Sequence, residues 1–327
     1  MRLPQRFYRL PVRFDAERLC AEAAALPAQA WVPHPNGDAG NSAVRLISVD
    51  GGENDEMNGV MRMTPNLERS PYLRQVLASF EVVWSRSRLL RLAPGAVVPV
   101  HADIHHHWFF RVRMHVPILT RPAVQFTCDG ERVHMAAGET WIFDNWRLHQ
   151  VENPSDSERI HLVGDTSGSA AFWELAAQSE RTGARIRRIE YDPARTVTPL
   201  LERALPRPVM PPAELDLLIL DMRSELVLEI DAPDQRPRLA RYHALLLGFG
   251  RDWRQQYLLH GEEPDGWEHF AKLRDAVREQ SRLLAPGLAL RTNRVSAHRV
   301  FEARILRACL TPPDSLRQSA RGSRPSR

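Results

Sequence analysis

Between Glu81 and Asp165 the chain breaks into short runs rich in β-branched and aromatic residues, each closed by a turn signal. The runs are 81–92, 97–100, 108–118, 123–128, 131–136, 140–144, 148–152 and 158–165. Pro94-Gly95, Thr120-Arg121-Pro122, Asp129-Gly130, Ala137-Gly138 and Asn153-Pro154 separate them. Strands this short and this closely spaced predict an antiparallel sandwich or barrel. Asp129-Gly130 between two such runs predicts a tight hairpin, because both central positions of that turn need positive φ.

The flanks have a different texture. Residues 1–80 predict helices and strands that pack on the barrel. Asp15 caps a helix to about Leu26, residues 33–42 form a loop, Ala43–Val49 is extended, and Tyr72, Val76 and Phe80 recur at helical spacing. Residues 81–175 are the barrel. Residues 176–212 form a connector, with six prolines between positions 192 and 212. Residues 213–310 are helical, with one stripe at Leu215, Leu218, Ile219, Met222 and Leu226 and another at Trp267, Phe270, Leu273, Val277 and Leu284. Further helices are expected at 238–247 and 295–310. Residues 311–327 carry four arginines against one aspartate and predict a disordered tail. The fold expected is an all-β core, a double-stranded β-helix, with α additions.

Composition narrows the setting. Of 327 residues, 43% are hydrophobic and 26% charged, which is ordinary for a soluble globular chain. The net charge of +4 does not demand a nucleic-acid partner. Three widely separated cysteines, Cys20, Cys128 and Cys309, argue against a zinc ribbon and against a disulfide framework. A reducing, cytoplasmic setting is the expectation. No apolar leader or run long enough for a membrane span is visible.

The chemistry lies in the barrel. His101 and Asp103 are two apart, so on a strand they point to one face. His149, 48 residues on, lies in another strand. If that strand faces the first, two imidazoles and one carboxylate form the facial triad of non-haem Fe(II) oxygenases, with coordination sites left open. Arg159 lies ten residues after His149 and shares a strand face with His161 and Val163. A buried arginine needs an anion, and the distal carboxylate of 2-oxoglutarate would supply one. Arg113 and His115, on one face of another strand, are candidate helpers. His105, His106 and His107 cannot all face one site and are expected in a solvated loop. His134 is expected on a hairpin surface.

These residues fall in a recognisable order. Leu92-Ala-Pro-Gly95, Pro99-Val-His-Ala-Asp103, Arg113-Met-His-Val-Pro117, Ala137-Gly-Glu-Thr-Trp141, Phe143-Asp-Asn145, His149-Gln-Val-Glu-Asn153 and Arg159-Ile-His-Leu-Val163 resemble the aspartyl/asparaginyl β-hydroxylase family over residues 80–166. The resemblance implies a dioxygenase that takes Fe(II), 2-oxoglutarate and O2. It implies that His101, Asp103 and His149 hold iron and that Arg159, helped by Arg113 and His115, grips 2-oxoglutarate. Asp103 completes a triad that the animal aspartyl enzymes lack, as in the bacterial proline hydroxylases of the same superfamily. A helical part after the barrel is also similar in kind to those enzymes.

The expected reaction is hydroxylation of an unactivated carbon of an amino acid, either an aspartyl or asparaginyl residue in a peptide or a free amino acid such as proline. Arg88, Arg91, Arg111, Trp141 and His161 are the candidate substrate contacts, with Trp146 as a further pocket wall. Two other readings stay open: a metal-dependent cupin with non-oxygenase chemistry, and a non-catalytic barrel whose helices bind a protein. The apolar helical stripes would serve a homodimer or cover the barrel.

Overall fold

A computed structural model describes residues 1–179, 185–230 and 235–312. It divides into two compact units: Met1–Asp103 with Phe110–Leu205, and Ile104–Phe109 with the chain from Pro206 onward.

The first unit is built on two sheets. The larger runs in the order Phe7–Leu10, Thr140–Phe143, Val112–Leu119, Arg159–Thr166, Val83–Leu92, Asn41–Val49, Val32–Pro33. The smaller runs Glu131–Val133, Gln125–Cys128, His149–Glu152, Val97–His101. From Val83 onward the chain crosses repeatedly between the two sheets, which is the winding of a double-stranded β-helix. All eight predicted runs contain strands. The third begins late: His107–Phe110 is a short helix and the strand starts at Val112. Asp129 and Gly130 turn the hairpin with φ of 49° and 80°.

Period-two alternation sorts the larger sheet's side chains into two cores. Outward, Val112, Met114, Val116, Ile118, Ile160, Leu162 and Leu89 pack with Leu19 and Ala23 of helix Ala16–Ala24 and Tyr72, Val76 and Leu77 of helix Pro71–Ala78. Asp15 caps the first of these helices, accepting from the Arg18 amide at 3.0 Å. Inward, Phe7, Leu92, Phe126, Phe143 and Val151 form a second, smaller cluster. The alternate inward positions carry Arg113, His115, Arg159, His161 and Asp165, all on two neighbouring strands. The barrel interior is therefore apolar on one flank and strongly polar on the other.

Close approach fixes one position. A Cβ at Gly164 would lie 2.7 Å from the ring of Trp84. That ring is fully buried and tethered by its Nε1 donating to the Leu77 carbonyl at 2.8 Å. Gly164→Ala is therefore expected to destabilise the chain by about 1–3 kcal/mol through overpacking. Urea unfolding of the full chain checks it; an unchanged midpoint would show that Trp84 can yield.

The second unit is helical: Pro212–Glu225, Arg236–His260, Trp267–Leu284 and Ala297–Phe301, with a short antiparallel ribbon of Leu226–Leu228 and Leu288–Leu290. Leu215, Leu218, Ile219 and Met222 are buried as their spacing predicts. Leu226 is buried too, but in the ribbon, since the helix ends at Glu225. The helix predicted over 238–247 runs much further, to His260, and the one predicted over 295–310 is confined to Ala297–Phe301 and a following wide turn. Beyond Pro312 the predicted tail lies outside the described residues. Among the described residues no helix is long and apolar enough to cross a membrane.

Candidate metal centre and anion pocket

The smaller sheet brings the predicted metal ligands together. His101 ends one strand, His149 starts its neighbour, and the two are register partners. Their rings stand 4.2 Å apart between centroids. Asp103 follows two residues after His101, and one ligand atom from each of the three lies within 4.8 Å of the others. That distance suits donors arranged around a single ion.

Each donor is held by the backbone or by one side chain. His101 donates from Nδ1 to the carbonyl of Pro99 at 2.8 Å, and His149 from Nδ1 to the carbonyl of Arg147 at 2.9 Å. In both rings Nδ1 is thus engaged by the backbone, which leaves Nε2 as the nitrogen for a metal. Burial pushes the His149 pKa down to about 4, so that ring is neutral at neutral pH. Asp103 is clamped by a single residue: its Oδ2 accepts from Asn145 Nδ2 at 3.2 Å and its amide donates to the Asn145 carbonyl at 2.9 Å. Phe143 and Phe126 pack against the His149 ring, Phe126 nearly parallel to it.

Arg159 lies in the interior on the larger sheet and is 3% exposed. One Nη2 donates to His161 Nδ1 at 2.7 Å, and Nε has no hydrogen-bond partner among the described residues. Burial alone pulls the guanidinium pKa down to about 9, so it stays charged at neutral pH. Thr120, Val124, Phe126, Met135, Val151 and His161 line a small cavity with it. A buried cation with an orphaned donor is what a carboxylate would complete. His161 and His115 are both pushed well below the usual histidine range, first by burial and then by the Arg159 charge. His115 Nδ1 reaches His161 Nδ1 at 3.4 Å, so His115 adjoins this pocket through His161.

The other predicted contacts distribute unevenly. Arg113 is not brought to Arg159; its Nε and Nη2 donate to Asp165 at 2.9 and 3.3 Å. Arg88 points inward and donates to Asp55 Oδ1 at 2.7 Å. Arg91 has the opposite parity, stacks on Trp31 and donates to Ser42, so it faces away from the interior. Arg111 precedes the strand and pairs with Glu202. Trp141 is a core residue, edge-on to Phe7 and donating to Glu139 at 2.9 Å, and Trp146 is buried. The three consecutive histidines do not form one solvated loop: His105 is exposed, but His106 binds Glu214 at 2.8 Å within the second unit and His107 is buried there. His134 is half-buried and reaches the Val124 carbonyl at 3.0 Å.

Sequence reasoning gave no role to Asn145, which it placed only within a motif, nor to Arg86, Asp55 and Asp165. Strand parity could have found two of them, since Asp165 shares a face with Arg159 and Arg86 shares one with Arg88. Asp55 sits in a loop and Asn145 in a turn, where no period operates.

Residues 50–167 match the Aspartyl/Asparaginyl beta-hydroxylase family model, in line with the resemblance read from the motifs. A curated relative, L-proline cis-3-hydroxylase 1 from Streptomyces sp, is 25% identical over 187 residues. That match covers 52% of this chain and 63% of the relative, under two thirds of its length. Among solved structures, a 2OG-Fe(II) oxygenase family oxidoreductase from Burkholderia pseudomallei is 15% identical, with a TM-score of 0.35, over 48% of this chain and 80% of that one. A Pseudomonas putida prolyl-4-hydroxylase is 16% identical, with a TM-score of 0.33, over 51% and 95%.

Proposed function

We propose that the barrel unit is an Fe(II)- and 2-oxoglutarate-dependent dioxygenase that hydroxylates an unactivated carbon of an amino acid. The observation that carries this is the pairing of two features in one interior. A two-histidine, one-carboxylate donor set with its rings already oriented stands beside a buried arginine that has no carboxylate partner among the described residues. A cupin running non-redox metal chemistry would need the first feature and have no use for the second. A non-catalytic barrel would need neither.

When bound, iron and 2-oxoglutarate supply an oxidant that replaces a C–H hydrogen by hydroxyl, with succinate and CO2 as the other products. The chain's own residues do the rest. His101, Asp103 and His149 would hold the metal. Arg159 binds the distal carboxylate and, with His161 and His115 behind it, fixes the orientation of the co-substrate. Phe126 and Phe143 keep water from the histidine face. The amino-acid class of substrate follows the family match and the proline-acting relative.

The test is succinate formation from 2-oxoglutarate by the full chain with Fe(II), with and without candidate amino acids and aspartyl or asparaginyl peptides. A product one oxygen heavier, seen by mass spectrometry, identifies the substrate. Absence of both 2-oxoglutarate binding and succinate formation would overturn the reading.

Asn145 provides a finer check. Removing the amide that holds Asp103 in Asn145→Ala should weaken metal affinity by about 10- to 100-fold, the usual effect of losing a ligand's support. Titration with Mn(II) measures it, and wild-type affinity would remove Asn145 from the site.

A further inference from the structure

The first unit takes in the chain from Met1 to Leu205 with one interruption: the six residues Ile104–Phe109 belong to the second unit. The interruption begins at the residue after Asp103, a candidate metal donor. It also contains the three consecutive histidines, His105, His106 and His107, to which the dioxygenase reading gives no task.

Within the second unit this segment reaches one helix twice. His106 donates from Nε2 to Glu214 Oε1 at 2.8 Å, and Glu214 stands in the first turn of helix Pro212–Glu225. The Arg304 guanidinium lies over the Phe109 ring, 5.5 Å from its centroid, and donates to Asp221 of the same helix at 3.0 Å. Glu214 and Asp221, at i and i+7, are two helical turns apart on one face. The segment is itself stiff. The Trp108 amide donates to the His105 carbonyl at 3.1 Å and the Phe109 amide to the His106 carbonyl at 2.9 Å. Ile104, His107 and Trp108 are buried.

We infer that Glu214, acting through His106, is a positioning residue for the Asp103 carboxylate. This inference rests on the metal site of the dioxygenase reading above. Only Ile104 and His105 separate Asp103 from His106. Three residues of fully extended chain span at most about 10 Å, so the link has little slack. A displacement of His106 passes to the Asp103 backbone instead of being absorbed. On its other side Asp103 is held by its own amide, which donates to the Asn145 carbonyl at 2.9 Å. The aspartate is therefore fixed from both directions of the chain. The pair does not serve mainly as a source of stability. The His106 and Glu214 side chains are 20% and 31% exposed, and ion pairs in contact with water contribute little. What sets this pair apart is the place at which it grips the chain.

The experiment is titration of the full chain with Zn(II), which imidazole and carboxylate both bind, in competition with a chromophoric chelator. Glu214→Ala and His106→Ala should each weaken Zn(II) binding by about threefold to tenfold, at or below the usual effect of removing a ligand's direct support. The double variant should be no weaker than either single one, because the two residues act as one link. Glu214→Gln keeps an oxygen for His106 Nε2 and should stay within about twofold of the wild type. In an Asp103→Ala background the two imidazoles remain, and there Glu214→Ala should change the affinity by less than about twofold. The inference is overturned if Glu214→Ala and His106→Ala bind Zn(II) like the wild type. It is also overturned if Glu214→Ala costs as much without Asp103 as with it, since the pair would then support the fold in general. If His149→Ala binds Zn(II) as the wild type does, the metal site itself fails, and this inference with it.

Discussion

His149→Ala is expected to reduce 2-oxoglutarate turnover to background and to weaken Fe(II) binding by about 100-fold or more, roughly 2.7 kcal/mol. The ring is buried, neutral at neutral pH and oriented by the Arg147 carbonyl, so its Nε2 needs no rearrangement to bind. Removing it would leave two of the three candidate donors, His101 and Asp103, to hold a metal. The ring also packs on Phe126 and Phe143, so some stability is lost with it. His149→Gln keeps more of that volume and separates packing from ligation. Metal titration and succinate formation are the measurements. A variant that keeps wild-type Fe(II) affinity and full turnover would remove His149 from the metal site.

Arg159→Met should move two quantities in opposite directions. The 2-oxoglutarate requirement should rise by at least about tenfold, since a charge-assisted pair contributes on the order of 1.5–3 kcal/mol. In the absence of 2-oxoglutarate the variant should be as stable as the wild type or more so, because a buried cation lacking a carboxylate is replaced by an apolar chain of similar length. Added 2-oxoglutarate should then stabilise the wild type and leave the variant nearly unmoved. Thermal unfolding with and without 2-oxoglutarate reads both. A variant with unchanged co-substrate affinity would sink the anion role, and one that is strongly destabilised without 2-oxoglutarate would make Arg159 a structural residue.

The strands of the barrel were legible because each is short, alternating and closed by a turn residue whose φ preference is local. Asp129-Gly130 is the clearest case, since its turn depends on two residues and nothing distant. The candidate donors come together although only part of the sequence argument holds: His149 lies on the strand neighbouring His101, while Asp103 lies two residues on, past the end of strand Val97–His101. What was not legible depends on partners far along the chain. Arg113 has the right face for the Arg159 pocket, but the register that sets it opposite Asp165 is a property of the sheet. Arg91 and Arg88 look alike in sequence, and a three-residue spacing on a strand puts them on opposite faces. Residues 108–110 are read as strand from their aromatic content, yet they lie in the helical turn His107–Phe110, of which His107 and Trp108 are buried. Tertiary context there outweighs β-propensity.

Both histidine donors are oriented by the same local device, a carbonyl two residues upstream, at Pro99 and at Arg147. A carbonyl belongs to every amino acid. The side chains at 99 and 147 can therefore drift over evolutionary time without turning either imidazole, provided the strand ends keep their path. Asp103 differs, because its side-chain hydrogen bond comes from the amide of Asn145. Among distant descendants of this barrel, the histidine settings should persist through wide divergence. The carboxylate setting should be lost first, and should vary together with position 145.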